Sequence, residues 1–283
     1  MARPVDKNVE TRGASIDIEP YEVYAIRYAR RDANRLEHFL LRDPHDGPMA
    51  MDYFVWAIVG GGGRGRTFVM DAGFGEEEAV TRKREYIRRP ADGLRMIGIE
   101  AAAVEELIVS HLHYDHIGTW DDFPRARLHL QEREMHFATG SHMCRPLLRH
   151  SFTIDHIEGV VRALYDDRMN FIHGEAEIAP GISLHHVGGH TAGLQVARVW
   201  TRRGWLVLAA DASHFYENFE QVAPYKTVFH VGDMLAGYGK LRELADAPDA
   251  IIPGHDPLVM QRYPAPSKEL EGIVVRLDAD PQG

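Results

Sequence analysis

Cysteine is almost missing from this chain: among 283 residues there is one, Cys144. No internal disulfide can form, so the fold does not depend on an oxidising compartment. Cys144 has no nucleophile motif around it and reads as a partly buried free thiol. A basic excess is missing too. Lys and Arg number 32 against 42 Asp and Glu, a formal net charge of −10, which speaks against a protein that lives on phosphate contacts and against nucleic acid as partner. The arginines at Arg82, Arg84, Arg88 and Arg89 stand among acidic residues and read as a solvated helix face. No apolar run approaches the roughly 20 residues that span a bilayer. Met1 to Glu10 is polar, without the apolar stretch of a secretory signal. These absences lead us to expect a cytoplasmic chain with no membrane partner.

What is there is enough for a core: 45% of residues are hydrophobic and 26% charged, the balance of an ordinary globular protein. No internal repeat and no linker divides the chain. We expect a single domain over 1–283, with 1–16 a loose N-terminal arm and 141–175 a helical insertion near the site. Tyr21 to Tyr28 alternates and reads as a strand, and His38 to Met51 as a loop. Tyr53 to Val59 and Thr67 to Met70 form a hairpin around the glycine-rich turn Gly60 to Gly65. Glu76 to Arg89, Ala101 to Glu106 and Glu132 to Thr139 read as helices, and Leu107–Val109 and Arg127 to Gln131 as strands. Ile157, Val160, Val161, Leu164 and Tyr165 recur at helical spacing. Further strands are expected at Ile182–Val187, Trp205–Ala209 and Ala250–Ile252. A helix before the last carries Val231, Met234, Leu235, Tyr238 and Leu241 on one face. The tail from Tyr263 reads as frayed.

Four of these strands run into residues that bind metals. His111, His113, Asp115 and His116 follow Leu107–Val109. His190, Asp211 and His255 follow the three later strands in turn. Rigid strands that deliver ligands at their C-terminal ends are a way to build an active site on a sheet. The run His111-Leu-His-Tyr-Asp-His116 suits two neighbouring ions, and imidazole with carboxylate is a donor set zinc accepts. The other histidines, among them His38, His45, His129, His136, His142, His150, His156 and His173, read as structural or surface residues. His185 and His186 read as sheet-facing.

His111-x-His113-x-Asp115-His116, with Gly189-His190, Asp211 and Gly254-His255-Asp256, resembles the metallo-β-lactamase superfamily, from about Tyr53 to Asp256. The resemblance implies an α/β fold, a four-layer αββα sandwich with the site at one sheet edge. It implies two divalent metal ions, most simply zinc. One would be held by His111, His113 and His190, the other by Asp115, His116 and His255, with Asp211 bridging. Asp71 matches the family's Asp-x-Gly turn below the metals. Within the superfamily the chain is most similar to the N-acyl-homoserine lactone lactonases, the quorum-quenching enzymes, on the stretch Asp211 to Phe219. Those lactonases commonly place a tyrosine three residues after the bridging aspartate. This chain has His214 there, and Tyr216 two residues further on.

The resemblance therefore implies a hydrolase that opens a lactone or related ester by metal-hydroxide attack on the carbonyl. Asp115 or Asp211 would shuttle the proton, and His214 or Tyr216 would donate to the oxyanion. Thioesterases of the glyoxalase II type and phosphodiesterases use the same ligands and stand as alternatives. A β-lactamase would lack Asp211, a mononuclear iron protein would not need His116 and His255, and a metal-stabilised scaffold would tolerate loss of ligands. Trp56, Phe137, Met143, Leu147 and Phe152 are candidates for an apolar acyl pocket. A homodimer is plausible by resemblance.

Overall fold

The structure, a computed structural model, describes residues 18–41, 44–60 and 65–282. The arm at 1–16 and the tip of the glycine-rich turn lie outside them. Among the described residues, thirteen strands are numbered in chain order: β1 Glu22–Arg31, β2 Met51–Val59, β3 Thr67–Met70, β4 Glu85–Tyr86, β5 Glu106–Ile108, β6 Arg127–Gln131, β7 Met169–Ile172, β8 Glu175–Ala179, β9 Ile182–His186, β10 Gln195–Thr201, β11 Gly204–Ala210, β12 Ile251–Pro253 and β13 Val274–Arg276. They form two sheets. The larger runs β13-β1-β2-β3-β5-β6-β7, with β4 paired to β1, and the smaller runs β12-β11-β10-β9-β8.

Strand β2 shows why the sheets stack. Its Phe54, Trp56 and Ile58 join one core cluster, while the alternate Tyr53, Val55 and Ala57 join another. A strand buried on both faces loses the polar alternation of a half-exposed one. The first cluster fills the space between the sheets, where Trp56, Phe68 and Ile108 meet Leu184, Val196 and Leu206. The second lies under the helices outside the larger sheet, where Val69 and Leu107 meet Leu94, Ile117, Met135 and Val160. Met234, Tyr238 and Leu241 of the helix Val231–Leu244 are buried beside the smaller sheet. Each side chain buried this completely contributes about 1.5–3 kcal/mol. The order of layers is helix, sheet, sheet, helix.

Several sequence expectations are corrected. Glu76 to Arg89 is not one helix: Glu76–Arg82 ends at Lys83, in the left-handed region at φ 56°, and the chain returns as β4. Of the helix expected over Ala101 to Glu106, only Ala101–Ala103 is helical, as a tight 3-10 turn, and Glu106 already belongs to β5. His38 closes a short helix, Arg35–His38, rather than opening a loop. The 141–175 insertion holds the helix Ile154–Tyr165, but it ends in β7, which pairs parallel with β6, and Glu175 begins β8. Leu164, Tyr165, Val231 and Leu235, expected inward, are exposed. The tail is not frayed, because β13 pairs with β1 and buries Val275 and Leu277. Strand β10, unforeseen, is the centre of the smaller sheet. Cys144 is exposed. No helix among the described residues is long and apolar enough to cross a membrane.

Candidate metal centre

Strands β3 and β5 pair in parallel. Two antiparallel pairings, β9 to β10 and β10 to β11, bring β9 and β11 back to one direction, and β12 runs parallel to β11. The C-terminal ends of β3, β5, β9, β11 and β12 therefore reach one edge of the sandwich. They are followed there by Asp71, the His111–His116 run, His190, Asp211 and His255.

The seven candidate ligands are all buried, and groups of their donor atoms gather within 4.8 Å of one another. His190 Nε2 lies 3.1 Å from His111 Nε2 and 2.9 Å from His113 Nδ1. Three imidazole nitrogens that face one another compete for protons, whereas a cation between them would accept all three lone pairs. Asp211 divides its two oxygens between two sets of imidazoles. Its Oδ2 is 3.1 Å from His190 Nε2 and 3.9 Å from His111 Nε2, and its Oδ1 is 3.3 Å from His116 Nε2 and 3.0 Å from His255 Nε2. Asp115 faces the second set, with Oδ1 3.9 Å from His116 Nε2 and Oδ2 3.9 Å from His255 Nε2. His116 Nε2 and Asp211 Oδ1 are buried, close together, and without a well-aligned hydrogen bond. A buried polar atom left in that condition costs about 1–3 kcal/mol, and a cation would satisfy both. The residues present fit a metal site.

The opposite side of four of the five rings is fixed by the protein. His116 Nδ1 donates to Asp71 Oδ2 at 2.7 Å, His190 Nδ1 to the Thr227 carbonyl at 2.7 Å, and His255 Nδ1 to the Asp52 carbonyl at 3.0 Å. His111 Nδ1 lies 3.0 Å from Ser110 Oγ, which donates onward to Asp71 Oδ2 at 2.8 Å. In these four rings the bonds favour a proton on Nδ1 and turn Nε2 inward, where its lone pair can meet a cation, as metal-binding histidines require. Asp71 also accepts from the Ser110 amide at 2.7 Å and sits at φ 62°, a strained backbone for a non-glycine residue. Tyr28 donates its hydroxyl to the Asp115 carbonyl at 3.0 Å.

Two polar residues that the sequence did not mark hold the loops together. Glu134, fully buried, accepts from the Leu112 amide through Oε1 and from the Gly193 amide through Oε2, each at 3.0 Å. It thus ties the loop of His111 and His113 to the loop of His190. Burial pushes its carboxyl above the usual range. Gln195 donates to the carbonyls of Val109 and His129 at 2.8 and 2.9 Å, a bridge from the smaller sheet to the larger.

His214 belongs to the cluster. Its Nε2 is 3.0 Å from Asp211 Oδ2, and its ring stacks 3.6 Å from that of Tyr225. Burial lowers it to about 3, so the ring is neutral. Tyr216, by contrast, opens the helix Tyr216–Glu220 and turns away. Its ring lies 3.8 Å beneath the Arg262 guanidinium and does not line the cavity above the cluster. Tyr225 does line it, beside Tyr53 and Tyr114, and its hydroxyl donates to the Asp211 carbonyl. His38 and His150, expected to be structural, also line that cavity, as do Arg82 and Arg84.

The cavity above the cluster is small, about 150 Å³, and its wall is mostly polar. A second chamber of about 270 Å³ opens beside it and shares His113 and His190 with it. Phe137, Leu147, Leu148, Val228 and Phe229 make this one apolar. Of the other acyl-pocket candidates, Phe152 packs 4.6 Å from the His113 ring, Trp56 is in the inter-sheet core, and Met143 lines a separate surface hollow.

Proton occupancy of the ion-free cluster predicts how it takes up metal. Burial opposes a charge on His116, but Asp211, Asp71 and Asp115 outweigh it and hold its proton well above the usual range. His255 is raised likewise by Asp211 and Asp115. An arriving cation must displace these protons, so affinity rises with pH from about 6.5 up to the raised values. The expected gain is about tenfold per pH unit for each proton released. Calorimetric zinc titrations between about pH 6 and pH 8, in buffers of different ionisation heat, measure both quantities. Affinity that is flat across that range, with no proton release, would contradict the reading.

Comparison with known proteins agrees with the geometry. The family model described as "Metallo-beta-lactamase superfamily" matches residues 51–255. A Bacillus sp. N-acyl homoserine lactonase is 30% identical over 135 residues, 47% of this chain and 48% of that protein. An N-acyl homoserine lactonase of Azorhizobium caulinodans is 28% identical over 172 residues, 58% of this chain and 62% of that protein. The chain thus spans about half to three fifths of the length of these curated relatives. A crystal structure of a quorum-quenching N-acyl homoserine lactone lactonase superposes with a TM-score of 0.70 at 23% identity, covering 86% of this chain and 95% of that one. AidC, a dizinc quorum-quenching lactonase in complex with a product, gives 0.66 at 18% identity, covering 86% and 90%. At these identities the structural likeness is one of fold. With two sheets packed face to face, helices outside them and a His/Asp cluster at one edge, this chain belongs to the metallo-β-lactamase superfamily.

Proposed function

We propose that the chain is a dinuclear metal-dependent hydrolase that opens a lactone or a related ester. The observation that carries this reading is Asp211, whose two oxygens face two separate imidazole sets. His111, His113 and His190 would hold one ion, Asp115, His116 and His255 the other, and Asp211 both. A donor set of imidazoles and carboxylates suits zinc. When bound, such a pair lowers the pKa of water toward about 7 and polarises a carbonyl.

The chain's own residues do the rest. Asp115, at the cavity wall, is placed to take and return a proton at a carboxylate oxygen. His214, neutral because it is buried, carries a single N–H, which at Nε2 is given to Asp211 Oδ2 in the ion-free cluster and would be freed once that oxygen faces a cation. It stands where the lactonases carry a tyrosine, and it would hold the carbonyl oxygen as charge develops there. The apolar chamber gives an acyl arm somewhere to lie. The relatives' activity on N-acyl homoserine lactones, named for them, supports a lactone as the electrophile.

The test is a substrate panel with zinc-loaded protein: acyl-homoserine lactones, γ- and δ-lactones, aryl esters, thioesters and phosphodiesters. Zinc-dependent ring opening, abolished by a chelator, is expected. Turnover of thioesters or phosphodiesters with lactones and esters inert would replace the reading. At constant metal content His214→Phe should lower kcat by about 100-fold, the size of a lost oxyanion donor.

A further inference from the structure

The polar cavity above the cluster has a charge pattern that the catalytic groups do not explain. Arg31, Arg82, Arg84 and Lys226 line it, against Glu37, Asp115 and Asp211. Glu37 is taken by Arg31, and the two aspartates belong to the cluster. Among the described residues, Arg82, Arg84 and Lys226 have no carboxylate within ion-pair distance. In a chain of net charge −10, carboxylates are not scarce, so a group of unpaired cations at one cavity wall needs a reason.

Arg84 donates from Nε to the Tyr114 hydroxyl at 3.1 Å and from Nη1 to the Arg82 carbonyl at 2.6 Å. Arg82 stacks 3.8 Å from the Tyr114 ring and donates to the His150 carbonyl at 3.0 Å. The two guanidinium groups thus bracket Tyr114, the residue next to Asp115, and neutral partners meet part of their donor capacity without meeting their charge. A half-buried guanidinium held in place is suited to bidentate recognition of a carboxylate.

We propose that Arg84, aided by Arg82, binds a carboxylate carried by the substrate, so that the natural substrate is an anionic ester or lactone and not a neutral one. This rests on the hydrolase reading above. The acyl arm and the anionic group would leave the reaction centre in different directions, one into the apolar chamber and one toward the arginines.

Calorimetry on the zinc-loaded full chain tests the subsite without turnover. Succinate, glutarate and adipate are compared with butyrate, which shares one carboxylate and lacks the second. At least one dicarboxylate should bind about tenfold or more tighter, the worth of one charge-assisted pair. Arg84→Gln should erase the difference and Arg84→Lys keep part of it. Arg82→Gln, which should reduce it, serves if Arg84→Gln does not fold by circular dichroism. Equal binding of butyrate and all three dicarboxylates by the wild type overturns the proposal. So does a difference that survives in a folded Arg84→Gln protein, because both carboxylates would then be bound elsewhere.

A second arm compares kcat/KM for 4-nitrophenyl hemisuccinate and 4-nitrophenyl propionate. The ratio should favour the anion and collapse through KM in Arg84→Gln. Esters cleaved without discrimination would sink the subsite and leave the hydrolase standing. Dicarboxylate discrimination with no ester, lactone or thioester cleaved would do the reverse.

Discussion

Asp211→Asn protein is expected to hold about one zinc ion per chain or fewer, where about two are expected for the parent. Its lactone or ester hydrolysis should fall by more than about 100-fold, the upper limit usually seen when a group one step removed from a metal is lost. The substitution keeps the shape and removes the charge. One of the two atoms that now lie within 3.3 Å of imidazole nitrogens on opposite sides becomes an amide donor. An amide cannot serve two cations at once, and whichever side it faces meets a repelling hydrogen. The effect extends to the ion-free protein. Asp211 is the leading influence that keeps protons on His116 and His255 against burial. Without it the pH dependence of zinc uptake should flatten. Metal content by plasma emission spectroscopy, measured beside turnover, decides the matter. Full occupancy with full activity would remove the bridging role.

Gly193→Ala should be strongly damaging although Gly193 is not itself a candidate ligand. A Cβ placed on Gly193 would sit 2.1 Å from the Glu134 amide nitrogen and 2.5 Å from its Cα. Those are backbone atoms, so no rotamer change relieves the clash. Overpacking of a yielding core costs about 1–3 kcal/mol, and here the yielding element must be the helix Glu132–Thr139 or the His190 loop. If the helix moves, Glu134 loses its grip on the Leu112 or the Gly193 amide, leaving a buried carboxylate oxygen without a donor at a further cost of about 1–3 kcal/mol. If the loop moves, His190 shifts relative to His111. Either way the melting temperature of the metal-loaded protein should drop by about 4 °C or more, with weaker zinc binding. An unchanged melting curve together with unchanged zinc affinity would show that the loops tolerate the methyl group and that the Glu134 clamp is not tight.

The candidate ligand run was legible because it is local. His111 to His116 are neighbours in sequence, and the strand before them is a short apolar stretch that reads correctly from composition alone. His190, Asp211 and His255 were legible because each stands just past such a strand. Glu134 gave no such signal. It sits in the first turn of a helix among charged residues, and its role arises from amides far away in sequence. Tyr225 was missed for a related reason: proximity to Asp211 in sequence favoured Tyr216, but the helix that begins at Tyr216 rotates it out. Arg82 and Arg84 were read as a solvated face because a continuous helix was expected. The left-handed Lys83 ends that helix at Arg82 and turns the chain, and Arg82 and Arg84 both line the cavity wall. Strand β13 escaped notice since its partner, β1, lies near the other end of the chain.

The candidate ligands are divided between the sheets in a way that would couple chemistry to cohesion. His111, His113, Asp115 and His116 hang from the larger sheet, and His190, Asp211 and His255 from the smaller. Neither proposed set draws on one sheet alone. Every captured ion would therefore act as a rivet through the seam of the sandwich, and the work of prising the two leaves apart would include the work of extracting the ions. Scarcity of zinc would then silence the enzyme and loosen its architecture together.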